Sequence, residues 1–268
     1  MLQSAKIDNH FFEARLLLQH VLDCGFERLM IDADQDIDEK IQQRYFALIT
    51  RRSNHEPFAY IVGQREFYGL DFFVNNNVLI PRSDSETLVD AVLHDFAQTT
   101  NKIKILDIGT GSGCLVISLL THLPHAQATA IDINNLSLEV AKKNAVNLKL
   151  AHRISFLQSD CFANLKHEKF DIIISNPPYI PYSERQNLSA QVLNEPEIAL
   201  FAHKQGLAIY EKIAQKAKGY VNAAGVVYVE IGREQEEQIE QIFTINGFVA
   251  AERYNDLNGI IRCLKFSL

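Results

Sequence analysis

The sequence predicts an α/β protein with a largely parallel sheet, helices on both faces and a final antiparallel strand. From residue 102 onward, short apolar strand patterns alternate with helical patterns in the order expected of βαβ units. Five residues separate the last two strand patterns, 248–254 and 260–266, which is enough for a hairpin and too few for a right-handed crossover. A helical segment precedes this region, so the sheet is expected in the C-terminal part of the protein.

Length and composition are typical of a globular chain. Its 268 residues, 47% hydrophobic and 22% charged, suffice for a sizeable core in one large domain or two. The longest apolar runs have strand length, well short of the roughly 18 residues that span a membrane. Asp8, His10 and Glu13 stand where a signal peptide needs an apolar stretch. We therefore expect a cytoplasmic protein with no membrane segment.

Charge and cysteine content limit the classes of partner. The formal net charge of −7 argues against a protein that neutralises many phosphates by itself, so direct nucleic-acid binding is not expected. The four cysteines are widely separated, and no His pairs with Asp or Glu in a metal motif. We predict reduced cysteines, no bound metal and, by default, a monomer.

Side chains at helical spacing predict two amphipathic helices before Pro57. Two short helices bury little surface alone, so we expect a small domain that packs on itself or presents one face to a partner. The first stripe is Ala14, Leu17, Leu18, Val21 and Leu22, and the second is Ile41, Tyr45, Leu48 and Arg52.

A β-hairpin is predicted next. Two strand-like runs, Glu66–Tyr68 and Phe72–Val74, are joined by Gly69–Asp71, which has the length of a hairpin turn. A helix is then predicted from about residue 84, because Ser83 or Asp84 can accept its first backbone N–H groups.

The chain is thus predicted to have three parts. They are an N-terminal helical domain at 1–64, a β-hairpin linker at 65–82 and an α/β domain at 83–268. Predicted strands of the α/β domain are 103–108, 127–132, 153–157, 170–175, 226–231, 248–254 and 260–266. Its predicted helices after residue 102 are 113–122, 135–148, 206–218 and 234–245.

A glycine-rich turn follows the first strand of the α/β domain. Gly109, Gly111 and Gly113 alternate with Thr110 and Ser112, and glycine lets a ligand lie directly on a sharply turning backbone. The G-x-G-x-G spacing differs from the G-x-G-x-x-G of dinucleotide dehydrogenases, which disfavours a pyrophosphate cradle. We expect these five residues to contact a cofactor of another kind.

Acidic residues at strand ends indicate the chemistry of that cofactor. Asp107, beside the turn, would repel a pyrophosphate but suits an ammonium or sulfonium group, and S-adenosylmethionine carries both. Asp132 ends the next strand, where it can accept both ribose hydroxyls. Asp160 lies just beyond the third strand, where it can accept the adenine amino group, with Cys161 and Phe162 flanking the ring. We therefore predict S-adenosyl-L-methionine as the cofactor; carboxylates that only cap strands are the alternative.

The tetrapeptide Asn176-Pro177-Pro178-Tyr179 follows the fourth strand, at the carboxyl edge where ligands of open α/β sheets bind. Its prolines fix φ and lack N–H groups, which makes the loop rigid. The side-chain carbonyl of Asn176 and the backbone carbonyl of Pro177 can each accept one hydrogen of a planar NH₂ group. Tyr179 offers a ring for stacking.

Such a loop is expected to hold an amide or an exocyclic amine with its nitrogen facing an electrophilic methyl group. Catalysis would then rest on proximity, orientation and electrostatics, with no strong base. We predict Asn176, Pro177 and Tyr179 as catalytic residues, and all four residues of the tetrapeptide as substrate-binding.

Together these motifs resemble the HemK-like (PrmC-type) methyltransferases, which modify the glutamine side-chain amide of class 1 peptide chain release factors. Asn-Pro-Pro-Tyr also occurs in DNA adenine and rRNA guanine methyltransferases. The Ile-Pro-Arg-x-Asp-x-Glu segment beside a helical N-terminal domain is more discriminating. Besides the turn and the tetrapeptide, the resemblance rests on Glu13-Ala14-Arg15 with Leu17, Pro57–Gly63, Arg65–Tyr68, Ile80–Glu86, Glu195-Pro196 and Ala199-Leu200.

The resemblance implies a Rossmann-like class I S-adenosylmethionine-dependent methyltransferase domain and a protein-(glutamine-N5) methyltransferase activity. The acceptor would be the glutamine of the Gly-Gly-Gln motif of the release factor. The tetrapeptide would receive that glutamine, and the N-terminal helices would help dock the factor. The positions that match cofactor-contacting residues are Gly109, Gly111, Gly113, Asp132, Cys161 and Asn176.

Some positions depart from the family pattern. Cys161 stands where many relatives carry an aromatic residue on adenine, so stacking there is weaker or comes from Phe162. Segments 203–206 and 259–262 are altered, which leaves their roles open.

Two other functions are consistent with parts of the pattern. A nucleic-acid base methyltransferase would act on an exocyclic amine of a flipped base, but the acidic charge disfavours it. A cofactor-binding scaffold without turnover is disfavoured because Asp107, Asp132 and Asn176 are all present.

Overall fold

The helices and strands alternate along most of the chain. The structure is a computed structural model; it describes the backbone of residues 1–268 and all side chains other than those of residues 250 and 251. The helices are α1 (His10–Leu22), α2 (Phe26–Ile31), α3 (Glu39–Ser53), α4 (Phe58–Val62), α5 (Glu86–Phe96), α6 (Cys114–His122), α7 (Asn135–Asn147), α8 (Glu197–Leu200), α9 (Ala208–Ala217) and α10 (Glu236–Ile245). The strands are β1 (Gln64–Phe67), β2 (Leu70–Phe73), β3 (Ile103–Ile108), β4 (Ala126–Asp132), β5 (Ile154–Gln158), β6 (Phe170–Ser175), β7 (Ile180–Pro181), β8 (Phe201–Ala202), β9 (Val221–Glu230), β10 (Val249–Asn255) and β11 (Ile261–Ser267).

A seven-stranded sheet in the order β10-β11-β9-β6-β3-β4-β5 forms the centre of the α/β domain. β11 is antiparallel to both of its neighbours, and the other strands run parallel to one another. The prediction of a mostly parallel sheet with an antiparallel final strand is therefore confirmed. That final strand is inserted between β9 and β10 and does not form the edge of the sheet.

The central strands are apolar because helices cover both faces of the sheet. In β6, Ile172 and Ile174 contribute to one core cluster together with residues of α5 and α6, such as Leu88. Ile173, between them, contributes to a second cluster with Tyr210 of α9 and Phe243 of α10. Successive side chains of the strand point to opposite faces of the sheet and thus belong to two separate cores.

One strand begins earlier than predicted. β9 starts at Val221, five residues before the predicted boundary, because its pairing with β6 shifts between Phe170 and Ile172. Gly225 lies in this irregular stretch, and a Cβ there would come within 2.9 Å of the Phe170 carbonyl oxygen. Because of the bulge, the first half of the strand does not follow a strict alternation of apolar and polar residues, so the sequence pattern did not predict it.

The N-terminal helices pack around a core of their own. Leu17 of α1, Ile49 of α3 and Ile61 of α4 belong to one cluster. Helices α1 and α3 confirm the two predicted helices. Helices α2 and α4 were not predicted: α2 buries none of its residues, and Pro57, predicted to end the helical region, is instead the N-cap of α4.

A hydrogen bond from a buried arginine connects this helical region to the α/β domain. The Arg52 side chain, 4% exposed, pairs with Glu13 of α1. It also donates to the side-chain oxygen of Gln191 at 2.8 Å. Gln191 belongs to the loop that follows the tetrapeptide, so the N-terminal helices hold this loop directly.

The β1–β2 hairpin is tighter than predicted. Phe67 pairs with Leu70, so Tyr68 and Gly69 alone form the turn. Their φ values of +51° and +72° are those of a primed two-residue hairpin turn. The predicted helix after the hairpin is α5, which follows a short 3₁₀ turn at Ser83–Ser85. Among the helices described here, none is both long and apolar enough to cross a membrane.

Candidate active site

A cleft at the carboxyl edge of the sheet collects most of the predicted site residues. Its walls come from the glycine turn after β3, the end of β4, the loop after β5, the tetrapeptide after β6 and the segment before α5. Predicted residues that line it are Gly109, Thr110, Gly111, Ser112, Asp132, Asp160, Cys161, Asn176, Pro177 and Pro178. Asp107, Gly113 and Tyr179 lie behind this lining.

The glycine turn serves two different purposes. Gly109 and Gly111 have φ of +73° and +56°, and nothing lies closer than 4.0 Å to a Cβ built on either one. They need glycine for their backbone conformation and leave open space for a ligand. Gly113, at φ +81°, is the N-cap of α6, and a Cβ there would lie 3.0 Å from the Ile117 Cδ1 atom. It lets α6 pack closely.

Asp107 is a buried carboxyl group with one unpaired oxygen. Its side chain is 1% exposed, and the Thr110 hydroxyl donates to Oδ2 at 2.6 Å. Within the described part of the chain, Oδ1 has no hydrogen-bond partner. Burial raises the pKa of Asp107 to about 7. A cationic ligand group would relieve the cost of burying this carboxylate.

Asp132 braces the turn as well as lining the cleft. Its Oδ2 accepts the Gly111 N–H at 2.9 Å, and its Oδ1 accepts the Asn134 N–H at 2.9 Å. Burial raises the pKa of Asp132, and these N–H groups oppose part of that rise. Each carboxylate oxygen keeps a lone pair for a ligand hydroxyl.

The loop after β5 brings Asp160 and Cys161 to the cleft but turns Phe162 away. Lys212 of α9, which also lines the cleft, donates to both carboxylate oxygens of Asp160 at 3.1 and 2.9 Å. Phe162 is 5% exposed and stacks on Tyr220, with ring centroids 4.7 Å apart. The prediction that Phe162 flanks an adenine ring is wrong, because the Phe162 side chain packs into the core. The preceding residue, Cys161, has a left-handed backbone with φ +48°.

The tetrapeptide presents Asn176 to the cleft with its amide nitrogen engaged. Asn176 Nδ2 donates to the Ser85 hydroxyl oxygen at 3.1 Å. No hydrogen bond from the described residues reaches Oδ1, so the side-chain oxygen stays available as an acceptor. Tyr179 lies on the far side of the loop, where the Gln235 side chain donates to its carbonyl oxygen at 3.1 Å. Burial raises the pKa of the Tyr179 hydroxyl.

The two altered segments both support the site. Gly206, at φ +87°, approaches Tyr179 so closely that a Cβ would lie 2.1 Å from the Tyr179 carbonyl oxygen. Arg262, from the second segment, pairs with Asp84 at 2.9 Å and with Asp256 at 3.2 Å. Both segments therefore buttress elements that carry cleft residues.

Several site residues were missed by sequence reasoning. Glu195, whose side chain is fully buried, accepts the Ile80 N–H at 3.0 Å and pairs with Arg82, which lines the cleft. Charged residues within the Ile-Pro-Arg and Glu-Pro segments were a signal for this pair. Glu230 is an acidic residue at the end of an apolar strand, as Asp107 is, so the same sequence pattern could have identified it.

The class of protein follows from this geometry. An inserted antiparallel final strand, a glycine turn and carboxylates at neighbouring strand ends define a class I methyltransferase domain. Residues 84–201 match the family described as Methyltransferase small domain, and residues 1–63 match the PrmC N-terminal domain. A solved methyltransferase from Pyrococcus furiosus shares the fold, with a TM-score of 0.56 at 18% identity over 75% of this chain and 89% of that one.

Sequence relatives give the family. The release factor glutamine methyltransferase of Buchnera aphidicola subsp. Schizaphis graminum is 36% identical over 252 residues, 94% of this chain and 90% of that protein. The bifunctional methyltransferase of Rickettsia conorii is 41% identical over 279 residues, 95% of this chain and 53% of that protein. The chain thus spans about half the length of the bifunctional relatives. It belongs to the release factor glutamine methyltransferase family.

Proposed function

We propose that the protein transfers a methyl group from S-adenosyl-L-methionine to the side-chain amide nitrogen of a glutamine. The acceptor is the glutamine of the Gly-Gly-Gln motif in class 1 peptide chain release factors. The observation that carries the proposal is the available Oδ1 of Asn176, beside the Pro177 carbonyl, in the same cleft as the glycine turn and Asp132.

The polar groups and the open space at the cleft fit S-adenosylmethionine. Asp107, directly behind the lining, has a buried oxygen with no partner among the described residues, which suits the ammonium or sulfonium group, and Asp132 keeps lone pairs suited to the ribose hydroxyls. Asp160 is held by Lys212 and can accept the adenine amino group. Gly109 and Gly111 leave room for the ligand against the backbone. When bound, the cofactor supplies an electrophilic methyl group.

The residues around the acceptor orient it and do not need to ionise it. Asn176 Oδ1 and the Pro177 carbonyl each accept one N–H of the glutamine amide, which aims its nitrogen toward the methyl group. The methylated amide nitrogen gives its proton to water. Positioning of this kind contributes up to about 7–11 kcal/mol for well-aligned reactants. No general base in the cleft is required.

The N-terminal helices supply a surface for the protein substrate. Several of their large apolar side chains are exposed: Phe11, Phe12, Phe26, Met30 and Ile31. We propose that this apolar surface helps dock the release factor. By default we take the protein to be a monomer. The proposal locates the enzyme in the cytoplasm, where its substrate would be found, and needs no direct contact with nucleic acid.

Methyl transfer from labelled S-adenosylmethionine to a purified class 1 release factor tests this function. A Gln→Ala version of the Gly-Gly-Gln motif is the matched control, and DNA and rRNA are offered in parallel. Label on the wild-type factor alone supports the proposal. Label confined to nucleic acid, or equal label on the Gln→Ala factor, contradicts it.

A further inference from the structure

Glu230 is a buried carboxyl group to which the proposed function gives no role. It ends β9, is 1% exposed, and its Oε2 has no hydrogen-bond partner in the described part of the molecule. Ser175 of β6 pairs with Val229 of β9 in the parallel register. The residues that follow each of them, Asn176 and Glu230, therefore emerge side by side at the carboxyl edge of the sheet.

Ser85 completes a group of three polar side chains. Asn176 Nδ2 donates to Ser85 Oγ at 3.1 Å. The side chains of both Ser85 and Asn176 lie where hydrogen bonding to the Glu230 carboxyl favours its charged form. Glu230 does not line the cleft, so it stands behind Asn176, on the side away from the substrate.

The chemistry of these groups sets the direction of the Asn176 amide. A serine hydroxyl both donates and accepts, so Ser85 alone accommodates either the nitrogen or the oxygen of the amide. A carboxylate only accepts. When Glu230 is ionised, it takes the Ser85 O–H or an N–H of Asn176, and either choice keeps the amide nitrogen on the inner side. A protonated Glu230 can donate instead, which permits the reversed amide.

We propose that Glu230 is a positioning residue that, together with Ser85, holds the Asn176 amide with its oxygen toward the substrate. The proposal rests on the proposed function, in which Asn176 Oδ1 accepts from the glutamine amide. Reversal of the Asn176 amide would offer the substrate NH₂ group a second NH₂ group and abolish that hydrogen bond.

Activity should therefore depend on the ionisation of Glu230. Burial raises the pKa of Glu230 to about 7, Arg262 lowers it and Asp84 raises it. Burial also raises the pKa of the thiols and phenols near it, so they stay neutral in this range. The titratable and charged groups that face Glu230 are Asp84 before α5, Cys114 of α6, Tyr179 after β6, Tyr210 of α9, and Arg262 and Cys263 of β11.

The test measures kcat of the full-length protein against pH with a purified class 1 release factor. Saturating S-adenosylmethionine keeps titration of Asp107 from limiting turnover. For the wild type, kcat should fall about tenfold in total as pH drops through the pKa of Glu230, and then level off. Glu230→Gln cannot ionise, so kcat at about pH 8 should fall about tenfold, as expected for a lost charged hydrogen bond, and the decline at low pH should vanish. Affinity for S-adenosylmethionine should stay within about twofold.

A second variant tests the proposal without changing Glu230, so the result does not depend on whether the Glu230 variant folds. Ser85→Ala removes the hydroxyl and leaves the carboxyl, and it should lower kcat without changing cofactor affinity. Ser118→Ala is its control, since Ser118 is also buried and lies in α6, and its hydroxyl has no partner among the described residues. Because Ser85 and Glu230 both act through Asn176, the double variant should lose no more than the worse single one. Asp95→Asn, a carboxyl-to-amide change outside the cleft, should leave the pH profile unchanged.

The outcomes separate this proposal from the function on which it rests. If the wild type methylates no release factor, the proposed function fails and the role of Glu230 fails with it. If the wild type is active but Glu230→Gln retains its kcat and its pH profile, the positioning role alone is overturned. Multiplicative effects of the two variants, or a loss of cofactor affinity equal to the loss of kcat, also overturn it.

Discussion

Similar polar side chains in and behind this cleft have different roles because their hydrogen-bond partners differ. Asp132 already accepts two backbone N–H groups, so it shapes the glycine turn while it lines the cleft. Asp107 has an oxygen without a partner in the described structure, so its environment favours a cation. Asn176 has its nitrogen engaged by Ser85, which leaves its oxygen for the acceptor. The role of each side chain follows from which of its atoms are already hydrogen-bonded.

Asn176→Ala should separate catalysis from cofactor binding. In the proposed function this side chain accepts one N–H of the substrate amide, so we expect kcat to fall about 10²-fold or more, the scale for loss of one preorganised polar group. Affinity for S-adenosylmethionine, measured by calorimetry, should be largely retained. Asn222→Ala at the opposite edge of the sheet serves as a matched control. Unchanged turnover in Asn176→Ala would remove the basis for the assigned role.

Asp132→Asn should weaken cofactor binding. An amide in place of the carboxylate presents N–H groups toward Gly111 or Asn134 and loses the charged acceptor proposed for the ribose. We expect binding of S-adenosylmethionine to weaken by about 1–3 kcal/mol, measured by calorimetry. Asp171→Asn is the control, because Asp171 accepts the Lys104 N–H at 2.8 Å away from the cleft. Equal affinity in the variant and the wild type would rule out the ribose role.

At the scale of helices and strands, the sequence predicted those elements whose boundaries are set by residues within the element itself. The boundaries of β3, β6 and α7 were close to the predicted ones because buried apolar runs and caps lie within each segment. Helix α2 was missed because six residues with no buried side chain give no periodic signal. The inward turn of Phe162 depends on the φ of Cys161, which no residue type indicates. The nearness of Glu230 to Asn176 depends on the pairing of two strands far apart in sequence.

Gly113 offers a test of element packing at the end of the glycine turn. Gly113→Ala places a Cβ 3.0 Å from Ile117 and requires an alanine at φ +81°. We expect the free energy of unfolding to fall by about 1–3 kcal/mol, the scale of a strained backbone position. Gly25→Ala is the control, because Gly25 has φ −75° and meets only the flexible end of Glu27. Chemical denaturation gives both values, and equal stability of the two variants would contradict the packing role.

For the whole molecule, the buried carboxyl groups link stability to pH. Burial raises the pKa of Asp107 and of Glu230 to about 7 in the folded state, above their ordinary values. Each group therefore binds its proton more tightly when the protein is folded. Their contribution to stability is complete below the ordinary carboxyl pKa and is lost as pH rises through about 7.

Thermal unfolding of the ligand-free protein measures this link. We expect the midpoint to fall between about pH 4 and pH 7, and a variant with both Asp107→Asn and Glu230→Gln to show a smaller fall. Asp95→Asn is the control, since its lysine and tyrosine partners lower the pKa of Asp95 and its contribution is lost only in acid. A wild-type midpoint that is level or rises over this range would contradict the assignment.

The contact between Arg52, Glu13 and Gln191 limits how freely the two parts of this protein can be exchanged with those of a relative. A buried charged donor that loses one of its hydrogen-bond acceptors destabilises the protein by about 1–3 kcal/mol. Arg52 and Glu13 both lie in the N-terminal helices, whereas Gln191, which accepts from Arg52 at 2.8 Å, lies far along the chain in the loop after the tetrapeptide. A chimera that takes the helices from one relative and the catalytic domain from another must therefore carry both sides of this contact from the same parent.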